Sequence, residues 1–250
     1  MKKLLAIVLV LVSGVSLTSC GNKNSSSEVY KIAAESTFAP FAFQDSGGKY
    51  VGIDVDIFDA IAKAEGFKYE MSHPGFEAAK NNTLSMQSDG CMCSMSVTED
   101  RKAVFDFSET YYDSEITIGV KKDQDQVKSF ADLRGKKIAT KLGTVSETWL
   151  NSHKAEYGYE IKTFDTGDLS YSALKIGSVD AIMDDEAVVN YAIKQGVDLK
   201  IPFQGFKSGA LAFAVKKGQN AQLLEKFNRG LEKLKSSGEF DKIVKKYVQE

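Results

Sequence analysis

Hydrophobic and polar positions along the chain switch between two periods. Residues 29–34 read as a short strand. Val55, Phe58, Ile61 and Ala62 then share one face of a helix over 55–65, which Gly66 stops. A strand over 68–71, a weaker helix over 76–86 and strands over 91–95 and 116–120 follow. The alternation resumes with a helical turn at 129–135, a strand over 137–140 and a helix opened by Gly143-Thr144-Val145-Ser146. Next come a strand over 161–164, a helix over 169–176, a strand over 179–183, a helix over 186–194 and a strand over 211–215. Leu223, Leu224, Phe227, Leu231 and Leu234 mark the clearest helix. Gly238 interrupts it, and Phe240, Ile243, Val244 and Tyr247 continue it. Strands alternating with helices predict an α/β protein.

Ahead of this pattern, Met1-Lys2-Lys3 precedes an apolar run over 4–17 that is too short for a comfortable bilayer span. The order of basic start, apolar run and small residues is that of a secretory signal, expected over 1–19. The run ends in Leu17-Thr18-Ser19-Cys20-Gly21, which resembles the bacterial lipobox. That resemblance implies a diacylglycerol on Cys20, a stable two-chain anchor. An ordinary signal peptide with an incidental cysteine is the alternative. Residues 21–27 are rich in Ser and Asn and read as a flexible linker.

About 220 residues remain, enough for one large domain or two small lobes. Losing Lys2 and Lys3 with the signal takes the formal charge from −2 to −4. No basic stripe stands out, so nucleic acid is not an expected partner. Cys91-Met92-Cys93 would make a strained disulfide, and neither His73 nor His153 stands at metal-ligand spacing from it. The pair reads as two small semi-apolar residues on a buried strand. No metal or cofactor is expected.

Three blocks carry a resemblance. They are Phe38-Ala39-Pro40-Phe41 with Tyr50-Val51-Gly52-Ile53-Asp54-Val55-Asp56, then Ser96-Val97-Thr98-Glu99-Asp100-Arg101-Lys102 with Phe105-Asp106-Phe107-Ser108 and Tyr111-Tyr112, and then Asp180-Ala181-Ile182-Met183-Asp184-Asp185. In this order they resemble the family 3 extracellular solute-binding proteins, the amino-acid receptors of bacterial ABC importers. The likeness runs over about 29–247. It implies a type II periplasmic-binding-protein-like fold: two α/β lobes joined by hinge segments near 111–115 and 204–209. Lobe 1 would comprise 28–112 and 208–250, and lobe 2 would comprise 113–207.

The residue chemistry agrees with a receptor for a zwitterion. Arg101 offers a planar fork for a carboxylate. Ser96 is placed to join the same carboxylate through its hydroxyl and N–H. Asp185, at a strand end in the other lobe, can accept from the ammonium. Read without the resemblance, Arg101 could be a surface cation and Asp185 a helix N-cap.

The resemblance further places Phe38 and Phe76 around the aliphatic part of the ligand. It places Glu35 at the polar end of the ligand side chain, and Lys141 with Thr144 in the segment that closes over it. Asp184 would tune the same pocket. Because a carboxylate at Glu35 accepts from an amide, an ammonium or a guanidinium, glutamine is the first expectation, with arginine or lysine next.

One block departs from the family pattern. Lys80-Asn81-Asn82-Thr83 weakens an apolar helix face, and Cys93-Ser94 stands where a small pair lets the backbone approach the ligand. Ser94 restricts φ where Gly would not. Ala187 stands where Pro is common. A fold-related enzyme such as a dehydratase, or a ligand-sensing module, is the alternative reading. The expected partners are a free amino acid, an ABC permease with its ATPase, and the membrane through the anchor. The expected receptor is a monomer on the outer face of the cell membrane.

Overall fold

A computed structural model describes residues 29–248. The signal segment, Cys20 and the linker lie outside the described residues. In chain order the elements are β1 (Val29–Ala34), β2 (Phe43–Gln44), β3 (Tyr50–Val51), α1 (Ile53–Glu65), β4 (Lys68–Ser72), α2 (Phe76–Leu84), β5 (Gly90–Ser96), α3 (Glu99–Lys102), β6 (Phe105–Phe107) and β7 (Tyr112–Lys121). A 3₁₀ turn at Phe130–Leu133 leads to β8 (Lys137–Lys141), α4 (Val145–Tyr157), β9 (Glu160–Phe164), α5 (Gly167–Ile176), β10 (Ala181–Asp185) and α6 (Glu186–Lys194). The chain ends in β11 (Leu199–Lys200), β12 (Phe206–Lys216), α7 (Ala221–Ser237) and α8 (Glu239–Val248).

The main sheet runs β4-β1-β5-β12-β7-β10-β8-β9. Its two ends repeat one plan. In the first, β1 pairs in parallel with β4 and β5, and β12 lies antiparallel to β5. In the second, β8 pairs in parallel with β9 and β10, and β7 lies antiparallel to β10. The antiparallel strands β7 and β12 pair with each other and join the halves, Tyr112 opposite Leu211 and Ile116 opposite Phe206. The expected crossing segments are thus the opening stretches of two long strands. Periodicity predicted only their apolar ends, because Asp113, Glu115, Lys207 and Ser208 carry the polar stretch that backbone pairing extends.

Each half has its own apolar filling. Ile57, Phe58, Ile61, Phe213, Phe227 and Leu231 pack α1 and α7 onto the first half-sheet. Ile116, Ile118, Leu133, Ile138, Leu150 and Met183 fill the second. Trp149 closes one end of that second core, its ring 4.5 Å from Phe130 and 4.9 Å from Phe206. Val188 of α6 packs into the first cluster, so α6 also ties the second half to the first.

The helix over 186–194 lies where periodicity puts it. Several boundaries shift, among them that of α5, expected from 169 and beginning at Gly167. The strand expected over 179–183 lies at Ala181–Asp185, the helix expected to reach 86 ends at Leu84, and α1 begins two residues early at Ile53. Gly52 permits the early start. Its φ is 134°, and a Cβ there would stand 2.1 Å from the carbonyl oxygen of Phe41. The hairpin β2–β3 and the short α3 and β6 gave no periodic signal, being too brief to repeat.

Candidate functional site

In parallel α/β sheets, side chains that follow the C-terminal strand ends converge on a crevice. Both half-sheets point such ends at each other. Glu35 follows β1 and Ser96 ends β5; Lys141 ends β8 and Asp185 ends β10. The sequence expectation had Ser96 and Asp185 just past their strands; they are the last strand residues.

A cavity of about 20 Å³ is lined by Phe38, Phe76, Ser94, Ser96, Arg101 and, from the second half, Lys141, Thr144, Asp184 and Asp185. Cys93 and Val145 complete the wall. That volume is room for one water. Nine of the ten expected ligand-site residues therefore share one wall. The tenth, Glu35, does not line it. A larger hollow of about 630 Å³ lies along β7, α6 and β12, but the Asp113 and Lys207 on its walls are exposed. Buried, converging charges mark the smaller one.

Glu35 is engaged within the protein. Its Oε2 accepts from Lys141 Nζ at 2.6 Å, and its Oε1 accepts from the N–H groups of Ser36 and Thr37. Burial alone would raise the Glu35 pKa, but the Lys141 ammonium and these donors outweigh it and hold the carboxyl below its ordinary value. Burial likewise disfavours the Lys141 ammonium, yet Glu35 and Asp184 keep its pKa above the ordinary value. Both groups are charged. Lys141 Nζ also stands 4.2 Å from the Phe38 ring centroid and 5.2 Å from that of Phe76, cation–π distances for both.

Arg101 is held by the turn that bears it. Thr98 caps α3, accepting from the Arg101 N–H. The guanidinium donates from Nη1 to the Ser96 carbonyl at 2.8 Å and from Nη2 to the Gly143 carbonyl at 3.0 Å. It thereby bridges the two halves, and it lies 5.4 Å from the Phe76 ring centroid.

Gly143, with φ of 74°, receives α2 closely. A Cβ there would stand 1.7 Å from Glu77 Oε1, the carboxylate paired with Lys80. The departing block thus places Lys80 at this contact. The Thr144 hydroxyl donates to the Lys141 carbonyl and accepts from the Glu147 N–H as the N-cap of α4. The Gly143 N–H of the same turn donates to Glu147 Oε2 at 2.6 Å.

Asp185 sits at the N-cap position of α6 without capping it. Its Oδ2 instead accepts from Ser114 Oγ on β7 at 3.0 Å. Burial first, and the adjacent Asp184 carboxylate second, push Asp185 up to about 7. Burial pushes Asp184 up to about 6.

Sequence reasoning missed Asp54. It is fully buried, and its Oδ2 accepts from both the N–H and the hydroxyl of Ser94, each at 2.8 Å. Ser94 has φ of 50°, so the restriction expected of a serine here is real. A left-handed non-glycine residue costs roughly 1–3 kcal/mol, and hydrogen bonds to a charged acceptor return about 1.5–3 kcal/mol each. The carboxylate therefore accounts for how serine is tolerated. Cys91 and Cys93 are free and buried on β5.

A family model described as "Bacterial extracellular solute-binding proteins, family 3" matches residues 30–250. The arginine-binding extracellular protein ArtP of Bacillus subtilis (strain 168) is 31% identical over 256 residues, covering 99% of this chain and 98% of ArtP. Substrate-binding domain 2 of Lactococcus lactis GlnP, in an open conformation, is 47% identical over 89% of this chain and 96% of that one, with a TM-score of 0.65. An ancestral arginine-binding protein bound to glutamine is 38% identical over 89% and 98% of the two chains, with a TM-score of 0.83. Shape similarity is thus higher to the ligand-bound structure than to the open one, although sequence identity is lower.

Proposed function

The chain belongs to the bacterial extracellular solute-binding proteins, family 3, and from that premise we propose that it captures a polar amino acid, L-glutamine first, for an ABC permease. The observation that carries this reading is the convergence of Arg101, Asp185 and the Glu35–Lys141 pair on one cleft between the half-sheets. Arg101 takes the ligand carboxylate as a fork, releasing its hold on the Gly143 carbonyl. Ser96 supports the same carboxylate. Asp185 takes the ammonium, and Phe38 and Phe76 enclose the aliphatic carbons. A side-chain amide suits the far end: its oxygen accepts from Lys141 and its NH₂ donates to Glu35. Asp184 adds a carboxylate beside Lys141.

At about 20 Å³ the cleft is too small for an amino acid, so entry requires the halves to part. The lobes 28–112 with 208–250, and 113–207, would hinge about the β7–β12 pair, and the ligand would shift the population toward the closed form.

Arginine or lysine is the second reading, for one reason. With every group ionised, two cations (Arg101, Lys141) face three carboxylates (Glu35, Asp184, Asp185), an excess of one negative charge that a basic ligand would neutralise. Against it, the Lys141 ammonium already occupies the place beside Glu35. A dehydratase-like activity would need a pocket acid or base; Lys141 holds Glu35 ionised, which removes it as the acid, and occupies its Oε2, which hinders it as the base. The lipid on Cys20 would keep the receptor on the outer face of the membrane, beside its permease. Isothermal calorimetry with a panel of amino acids tests the assignment. Tightest binding of L-glutamine is expected, and heat only from apolar amino acids would overturn it.

A further inference from the structure

We propose that Asp54 is a positioning residue for ligand capture: its buried carboxylate sets the Ser94–Ser96 wall of the cleft and ties that wall to the crossing strands through Tyr111. The inference rests on amino-acid capture at this cleft.

Asp54 stands in the first turn of α1, between Ile53 and Ile57 of the apolar core, with no exposed surface. A core position filled for packing alone favours an apolar side chain, because burying a carboxylate is costly unless donors meet it. Here three do. Ser94 supplies its N–H and hydroxyl to one oxygen, and Tyr111 supplies its hydroxyl to the other at 2.7 Å.

Each donor has a functional address. Ser94 lines the cleft, and two residues on, the Ser96 carbonyl holds Arg101. The left-handed turn at Ser94 sets the direction in which that carbonyl points. Tyr111 immediately precedes β7, and its N–H donates to the Leu211 carbonyl of β12 at 2.9 Å. One carboxylate therefore joins the wall that orients Arg101 to the ribbon that connects the halves. Burial raises the Asp54 pKa, the Tyr111 and Ser94 donors lower it in part, and the balance leaves it at about 6.

The test uses the full chain, L-glutamine as probe, and four variants: Asp54→Asn, Tyr111→Phe, Ser94→Gly and the double Asp54→Asn/Ser94→Gly. Asp54→Asn is expected to weaken L-glutamine binding by about tenfold or more, and Tyr111→Phe by about threefold, in protein shown to be folded. Ser94→Gly alone sets the reference for the double variant: in its background Asp54→Asn should cost no more than half of the logarithmic loss that it costs in the parent, since glycine adopts the turn unaided. A residue that only adds stability would lower the unfolding midpoint without moving the affinity of the folded protein, and the Ser94→Gly background would spare none of the loss; either result overturns the proposal. Should Asp54→Asn not fold, an unchanged affinity in Tyr111→Phe overturns it. If the parent itself ignores L-glutamine, the ligand reading fails. The wall is then judged by amide hydrogen exchange without ligand: faster exchange at Ser94 in Asp54→Asn, beyond the global change, supports the proposal and parental exchange refutes it.

Discussion

Lys141 and Glu35 meet at 2.6 Å from opposite half-sheets, with side chains only 4% and 2% exposed. Removing one partner of such a pair strands the other in low dielectric and costs about 3–5 kcal/mol. In Lys141→Met the free energy of unfolding at pH 7 should therefore drop by roughly 3 kcal/mol. Without its ammonium, Glu35 rises in pKa, so the deficit should shrink as the pH falls toward that raised value and the carboxyl protonates. The place beside Glu35 and the Phe38 face then opens to a ligand cation, and preference should move from glutamine toward arginine. Urea titrations at two pH values and competition calorimetry measure both effects. Unchanged stability with unchanged preference would sink the account of this pair.

Asp185 provides the pH dependence. Its pKa in the fold, about 7, lies above the ordinary 3.8. Between those values the folded chain binds more protons than the unfolded one, so this group's contribution to stability is greatest at the acid end of the window. It declines as pH rises through about 7. A ligand ammonium beside Asp185 favours the ionised form. Binding at pH 6 should release a proton, and affinity should rise from pH 5 to pH 8. Calorimetry in two buffers of different ionisation heat detects the release. Heats independent of the buffer would remove Asp185 from the ammonium site.

Arg101 holds two carbonyls through two nitrogens of one plane. Lysine keeps the charge but lacks the fork. Arg101→Lys should weaken amino-acid binding by about 10- to 100-fold, the equivalent of about one charge-assisted hydrogen bond. Its unfolding midpoint should stay near that of the parent. Equal affinities in equilibrium titrations would show that the ligand carboxylate binds elsewhere.

Cys20→Ala addresses the anchor. The variant should bind ligand as the parent does, yet appear in the medium and support little uptake, because tethering raises the receptor's local concentration at the permease. Cell fractionation and radiolabelled uptake read this directly. Full uptake by the released variant would contradict the role given to the lipid.

Much of this architecture could be read from the chain, and the failures share a cause. Helices such as Ala221–Ser237 bury one face and so write a period into the sequence, and central strands such as Ala181–Asp185 bury nearly every residue and leave a short apolar run. The opening residues of β7 and β12 are held by each other's backbone, which leaves no such trace. The site residues were legible as types: a fork, two acids and two phenylalanines. Their intramolecular partners were not. Nothing in Glu35 or Lys141 alone says that they pair across 106 positions. Asp54 sat inside a motif that resembled the family, but its two partners are 40 and 57 residues away. Such pairings are properties of the packed sheet.

The tilted packing of Trp149 against Phe130 and Phe206 has a practical consequence. The chain contains a single tryptophan. That indole touches Phe206, the first residue of one crossing strand, and stands apart from the cleft wall. Its emission is therefore an intrinsic optical gauge of how the ribbon sits against the second core, free of quenching by a bound ligand and needing no attached dye.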